Sequence, residues 1–167
     1  DWCRAVASAG AKGVILTAKH HDGFCLWQTD TTDYSVRSSP WKDGKGDVVA
    51  MLADSCRKFG LKMGVYLSPW DRNSSKYGTD GYDDFYCAQL TELLTRYGDM
   101  FTVWLDGACG SHLDGKPMQR YDFDRYYALI RRLQPNCAIS NCGPAVRWVG
   151  NEAGETRPGP FYTAAPA

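Results

Sequence analysis

Phe101-Thr102-Val103-Trp104-Leu105-Asp106-Gly107 decides how this chain is read. Residues 101–105 form a short apolar run suited to a buried strand, and the run stops abruptly on a carboxylate and a glycine. A strand end is where a barrel or open sheet exposes its working groups. Asp106 is therefore placed as a candidate nucleophile or acid/base. The competing reading is an Asp that caps the following turn or helix, a position this residue type favours. Gly107 leaves room for a ligand to approach.

The same pattern recurs on both sides. Gly13-Val14-Ile15-Leu16-Thr17-Ala18 is a continuous apolar, β-branched run, which fits a strand buried on both faces. Lys62–Leu67 and Cys137–Ser140 are two further strands, the last leading to Asn141. Between them lie helical periodicities over 47–59, 82–97 and 122–133, with another over 1–10. Gly10, Gly60 and Gly98 stop three of these helices, and Pro135-Asn136 ends the fourth. Residues 19–46 form a long polar loop. Residues 142–167, rich in Gly and Pro, read as loop throughout.

This alternation implies parallel strands joined by right-handed crossovers, one unit in roughly forty residues. Doubly wound sheets and (β/α)8 barrels both fit. No strand is followed by a Gly-rich phosphate loop, and polar residues with chemical potential follow strand after strand. We therefore expect an α/β fold: a partial (β/α)8 TIM-like barrel with about four parallel strands and intervening helices. A closed barrel takes eight units and about 250 residues. Residues 1–167 are then expected to be a fragment of one catalytic barrel domain, with open sheet edges. On that reading the isolated fragment is poorly stable and inactive.

Composition narrows the partners. The formal net charge is zero, which argues against nucleic acid or an anionic membrane. No apolar run is long enough to span a bilayer. Aromatic residues make up 13%, and a sugar's C–H face packs well on such rings, although most of these residues are expected to fill the core. The seven cysteines include no CxxC pair, so neither a zinc ribbon nor a disulfide framework is expected.

Four other positions are candidates. His20 and His21 follow the first strand. Adjacent residues in an extended segment point opposite ways, and no zinc spacing is present. Two donors to polyol hydroxyls is therefore the more economical reading than a metal site. The alternative is one structural and one exposed histidine. Tyr66 ends the second strand, as a substrate contact or as core filler. Asp71 and Arg72 read as a local ion pair without a catalytic part. Glu152, in a glycine-flanked loop, can supply a second carboxyl group, with Glu155 competing for the role. Glycoside hydrolysis needs such a pair, one ionised and one protonated, and no metal.

Ala18-Lys19-His20-His21-Asp22-Gly23-Phe24-Cys25-Leu26-Trp27, with Thr32-Asp33-Tyr34-Ser35-Val36 after it, resembles the signature loop of the α-L-fucosidases of glycoside hydrolase family 29. Gly64-Val65-Tyr66-Leu67-Ser68 resembles that family's next strand, and Val103–Gly107 its nucleophile strand. The resemblance implies a retaining exo-hydrolase that releases terminal α-linked L-fucose from glycans without a cofactor. It matches Asp106 to the nucleophile, His20 and His21 to the pair that binds fucose hydroxyls, and Tyr66 to a tyrosine of the same pocket. Arg147–Glu155 resembles the subgroup acting on α-1,3/1,4-linked fucose, which favours Glu152 as acid/base. It further implies an extracytoplasmic parent protein with a first barrel strand, later strands and a C-terminal β-sandwich beyond this stretch. Another retaining barrel glycosidase, or an inactive carbohydrate-binding barrel, is the alternative.

Overall fold

The computed structural model describes residues 2–110, 118–141 and 146–147. Helix α1 spans Trp2–Ser8 and is followed by β1 (Gly13–Lys19), α2 (Val48–Phe59), β2 (Lys62–Leu67), α3 (Tyr82–Arg96), β3 (Met100–Leu105), α4 (Phe123–Leu133), β4 (Ala138–Asn141) and β5 (Val146–Arg147). All the strand pairings are parallel, and the sheet order is β1-β2-β3-β4-β5. This unbroken order separates the two fold classes that the sequence leaves open. A doubly wound sheet reverses direction at a switch point. Here each strand adds beside its predecessor, so right-handed crossovers place the connecting helices on one side of the sheet. The result is the singly wound α/β arrangement from which (β/α)8 barrels are built.

Local chemistry sets the helix ends. The Asp47 carboxylate accepts from Ala50 N and caps α2, and Gly60 closes it in a left-handed conformation at φ 66°. Asp122 caps α4 by accepting from Arg125 N. Asp83 and Asp84 occupy the first turn of α3 and Arg96 its last, each on the side the helix dipole favours. Val49, Leu52, Ala53 and Cys56 of α2 are buried at the helical repeat. They pack with Met63, Val65 and Leu67 of β2 and with Val103 and Leu105 of β3 in one core. Cys3 and Cys56, their sulfurs 3.8 Å apart, join α1 to α2.

Alternation along the strands sends the intervening residues to the opposite face. There Thr17, Tyr66, Trp104 and Ser140 lie in register across β1 to β4. Asp106 lies two residues beyond Trp104, just past the C-terminal end of β3.

Three expectations are corrected. β1 is not buried on both faces, for Ile15 is 42% exposed. β1 is the edge strand, with β2 as its sole partner among the described residues. The stretch after β4 is not wholly loop, because Val146–Arg147 pairs with Ser140–Asn141 as a fifth strand. Two residues are too few to show a period. The long polar loop contains two short 3₁₀ turns, Val36–Ser38 and Trp41–Gly44. Among the described residues no helix is long and apolar enough to cross a membrane.

Candidate active site

Asp106, His20, His21 and Tyr66 converge at the C-terminal end of the sheet. The Tyr66 hydroxyl donates to Asp106 Oδ2 across 2.6 Å. Ala108 N donates to Asp106 Oδ1 at 2.8 Å. The two readings of Asp106 are thus compatible: one oxygen caps the turn after β3, and the other faces the site. Burial first, then the hydrogen bond to Asp106 and its charge, raise the Tyr66 pKa far above its ordinary value, with Ser68 opposing the rise. Tyr66 is therefore a neutral phenol and a fixed donor at any physiological pH.

His21 Nε2 lies 4.0 Å from Asp106 Oδ2, and both side chains keep some exposure, 20% and 25%. The other ring nitrogen, Nδ1, is 2.7 Å from Ser68 Oγ. The His20 and His21 rings have centroids 4.0 Å apart. His20 is exposed and stacks near-parallel on Tyr66 at 5.8 Å. Trp70 flanks His21 at 4.9 Å, and Trp104 meets the Tyr66 ring edge-on at 5.4 Å. Burial lowers the His21 pKa below 6.5; His20 adds to this, while Asp106 opposes it. At neutral pH His21 is uncharged.

The loop carrying the histidines is anchored from beneath. Lys19, fully buried, donates to Asp71 Oδ2 at 3.0 Å and to Gln89 Oε1 at 2.8 Å. Its ammonium also lies 5.4 Å from the Tyr86 ring centroid. Asp71 Oδ1 accepts from Asn73 N and Ser74 N, and Arg72 N donates to His21 O at 2.8 Å. The expected Asp71–Arg72 pair does not form. Asp71 is turned inward to Lys19, and the Arg72 guanidinium lies over the Trp70 ring at 5.9 Å. Trp27 is buried as well, donating to Glu92 Oε2 at 2.8 Å. It holds the loop to α3.

Glu152 and Glu155 lie outside the described residues. Sequence reasoning missed Ser68, Trp70 and Trp104 as parts of the site. Trp104 was legible, since two residues from Asp106 along a strand means the same face. The Ser68–His21 contact joins residues 47 apart and leaves no local signal. The indole N–H groups of Trp70 and Trp104 are buried with no acceptor among the described residues. Among those residues no set of three His, Cys, Asp or Glu converges as a cation site.

Known proteins share this sequence and fold. The model of the α-L-fucosidase family matches residues 1–158. Alpha-L-fucosidase 1 of Arabidopsis thaliana is 54% identical over 156 residues, covering 92% of this chain and 30% of that protein. A solved glycoside hydrolase 29 family member from an unknown rumen bacterium superposes with a TM-score of 0.83 at 50% identity, over 92% of this chain and 30% of that one. A Ruminococcus gnavus GH29 fucosidase solved in complex with fucose gives 0.80 at 34% identity, over 90% of this chain and 35% of that one. The chain spans about a third of the length of these relatives. Across nearly all of its own length, in sequence and in the fold that carries Asp106, the chain belongs to the α-L-fucosidase family.

Proposed function

We propose that this chain is a segment of the catalytic barrel of a retaining exo-α-L-fucosidase, and that Asp106 is the nucleophile. The observation that carries the reading is Asp106 Oδ2. It stands at the end of β3 beside Tyr66 and His21, two groups able to hydrogen-bond a sugar. In the first step a carboxylate oxygen of Asp106 attacks C1 of the fucosyl residue, and the bond from C1 to the leaving oxygen breaks. Glu152 gives its proton to that oxygen. In the second step water attacks C1, Glu152 takes the water's proton, and Asp106 is released with fucose. His20, His21 and Tyr66 bind fucose hydroxyls.

The substrate class is a fucosylated oligosaccharide or glycoconjugate. The Ruminococcus gnavus fucosidase in complex with fucose supports this. The α-1,3/1,4 linkage preference, the choice of Glu152 over Glu155 and an extracytoplasmic compartment rest on the family resemblance alone.

The test is hydrolysis of an aryl α-L-fucoside by the full-length protein and its Asp106→Ala variant. The variant is expected to lose activity by several orders of magnitude, and equal activity overturns the assignment. A 2-fluoro fucosyl trap should leave a covalent adduct on the peptide containing Asp106. Glu152→Gln and Glu155→Gln then compete: the acid/base substitution should lose activity on substrates whose leaving group needs a proton while sparing those whose leaving group needs none, and the other substitution should leave both.

A further inference from the structure

Ser68 is buried at the end of β2, and its hydroxyl meets His21, two backbone groups of Trp70 and the Tyr66 hydroxyl. Its Oγ donates to Trp70 O at 2.9 Å. Trp70 N donates to Oγ at 3.1 Å. His21 Nδ1 lies 2.7 Å from the same oxygen. A serine hydroxyl has one hydrogen to give and two lone pairs to receive. The hydrogen is committed to the Trp70 carbonyl and one lone pair to Trp70 N–H. The Trp70 carbonyl can only accept, which assigns the hydrogen to it; the second lone pair then faces His21, and this assignment makes Nδ1 the donor. A hydroxyl turned toward Tyr66 instead would leave the same result, for His21 would again meet an oxygen with no hydrogen to offer.

We infer that Ser68 is a positioning residue that fixes the His21 imidazole as its Nδ1–H tautomer, so that Nε2, 4.0 Å from Asp106 Oδ2, is an acceptor that takes the hydrogen of a ligand hydroxyl. The inference rests on the fucosidase reading only for the identity of that ligand. An uncharged imidazole carries one N–H, and the bond made by one nitrogen decides the role of the other. Nε2 and Asp106 Oδ2 are then two acceptors facing one gap, and the Tyr66 hydroxyl beside it gives its hydrogen to Asp106 Oδ2. A group that supplies hydrogen to the gap is favoured, and one that only accepts is repelled. Specificity follows at this position: a hydroxyl binds more tightly than fluorine or a methyl ether, which have no hydrogen to donate.

The tautomer is read directly by nitrogen NMR of the full-length protein labelled with ¹⁵N-histidine. This chain contributes three histidines, and His21 is assigned by the signals lost in His21→Gln. Above pH 7 the expected result is a protonated Nδ1 and an unprotonated Nε2. A protonated Nε2 in the unsubstituted protein overturns the inference. Ser68→Ala should populate the Nε2–H form, and Ser68→Thr, which keeps the hydroxyl, should restore Nδ1–H. A Ser68→Ala spectrum unchanged from the parent also overturns it. In kinetics on an aryl α-L-fucoside, Ser68→Ala should raise KM by about tenfold, one hydrogen bond's worth. It should change kcat less, with Thr rescuing KM. The NMR result does not depend on turnover. An inactive protein with the expected tautomer therefore removes the fucosidase reading and leaves the role of Ser68 standing.

Discussion

The Tyr66 hydroxyl reaches Asp106 Oδ2 across the gap between neighbouring strands, 2.6 Å from donor to acceptor. Register makes this possible. Tyr66 lies opposite Trp104, so its ring stands on the same face as the carboxylate two residues further on, and its length spans the remaining rise. The hydrogen bond is charge-assisted because its acceptor is a carboxylate, and burial, with that carboxylate beside it, holds Tyr66 as the neutral donor. Tyr66→Phe keeps the edge-on contact with Trp104 and deletes only the hydroxyl. We expect kcat/KM of the full-length protein to fall about 10- to 100-fold, corresponding to about 1.5–3 kcal/mol for a hydrogen bond to a charged group, with little change in denaturation midpoint. An unaltered kcat/KM would reduce Tyr66 to packing.

His21 sets an acid limit. Burial, His20 and Arg72 lower its pKa, and Asp106 and Asp22 raise it, with a net shift below 6.5. As pH falls through that folded value a proton enters on Nε2. The imidazolium then faces Asp106 Oδ2 at 4.0 Å, where it holds the carboxylate in an ion pair and loses its own acceptor. Activity should decline on this limb below pH 6.5. The stability sign is the same. A depressed folded pKa means the unfolded chain binds the proton more readily, so this contribution is complete above 6.5 and is lost as pH falls through the folded value. In Asp106→Asn the raising carboxylate is gone, and His21 should titrate lower still by NMR. A His21 pKa above 6.5 contradicts this account.

The scaffold was legible because each element carries its own local signal. The runs at 13–18, 62–67, 101–105 and 137–140 are apolar and β-branched. Asp47, Gly60 and Asp122 mark helix ends by chemistry that needs no tertiary context. Asp106, Tyr66 and the two histidines were legible because they follow those strands. Asp71 was misread, because sequence proximity favours Arg72, whereas a partner 52 residues away lies beneath it. Ser68 was missed for the same reason. Its role exists only once β2 stands beside the loop that carries His21. Contacts of this kind are properties of the packed sheet.

The Lys19–Asp71 pair has side chains 0% and 2% exposed, and each partner is further hydrogen-bonded. Removing one member leaves the other charged and buried, which costs about 3–5 kcal/mol. Asp71→Asn and Lys19→Met should each destabilise the protein by that order in urea unfolding. The double variant should cost less than the sum of the two, since neither charge is then left alone. Simple additivity would show that the two groups do not act as a pair.

Gly23 sits where the loop turns under the histidines, at φ +88°. A Cβ there would lie 2.4 Å from Asp71 Oδ1 and 3.0 Å from Asn73 Cβ. Asp71 cannot retreat easily, because Lys19 and two backbone N–H groups hold it. Gly10 is the control, with a similar φ of +84° and nothing within 4 Å of the place a Cβ would take. Gly10→Ala should cost only the left-handed strain, about 1–2 kcal/mol. Gly23→Ala adds the clash and should cost more. The displacement it forces passes to His21, whose carbonyl is tied to Arg72 N on the Asp71 loop. Gly23→Ala should therefore also raise KM for an aryl α-L-fucoside, and Gly10→Ala should not. Equal destabilisation by the two substitutions, with KM unmoved in both, would show that the histidine loop yields to the methyl group and is not braced by Asp71.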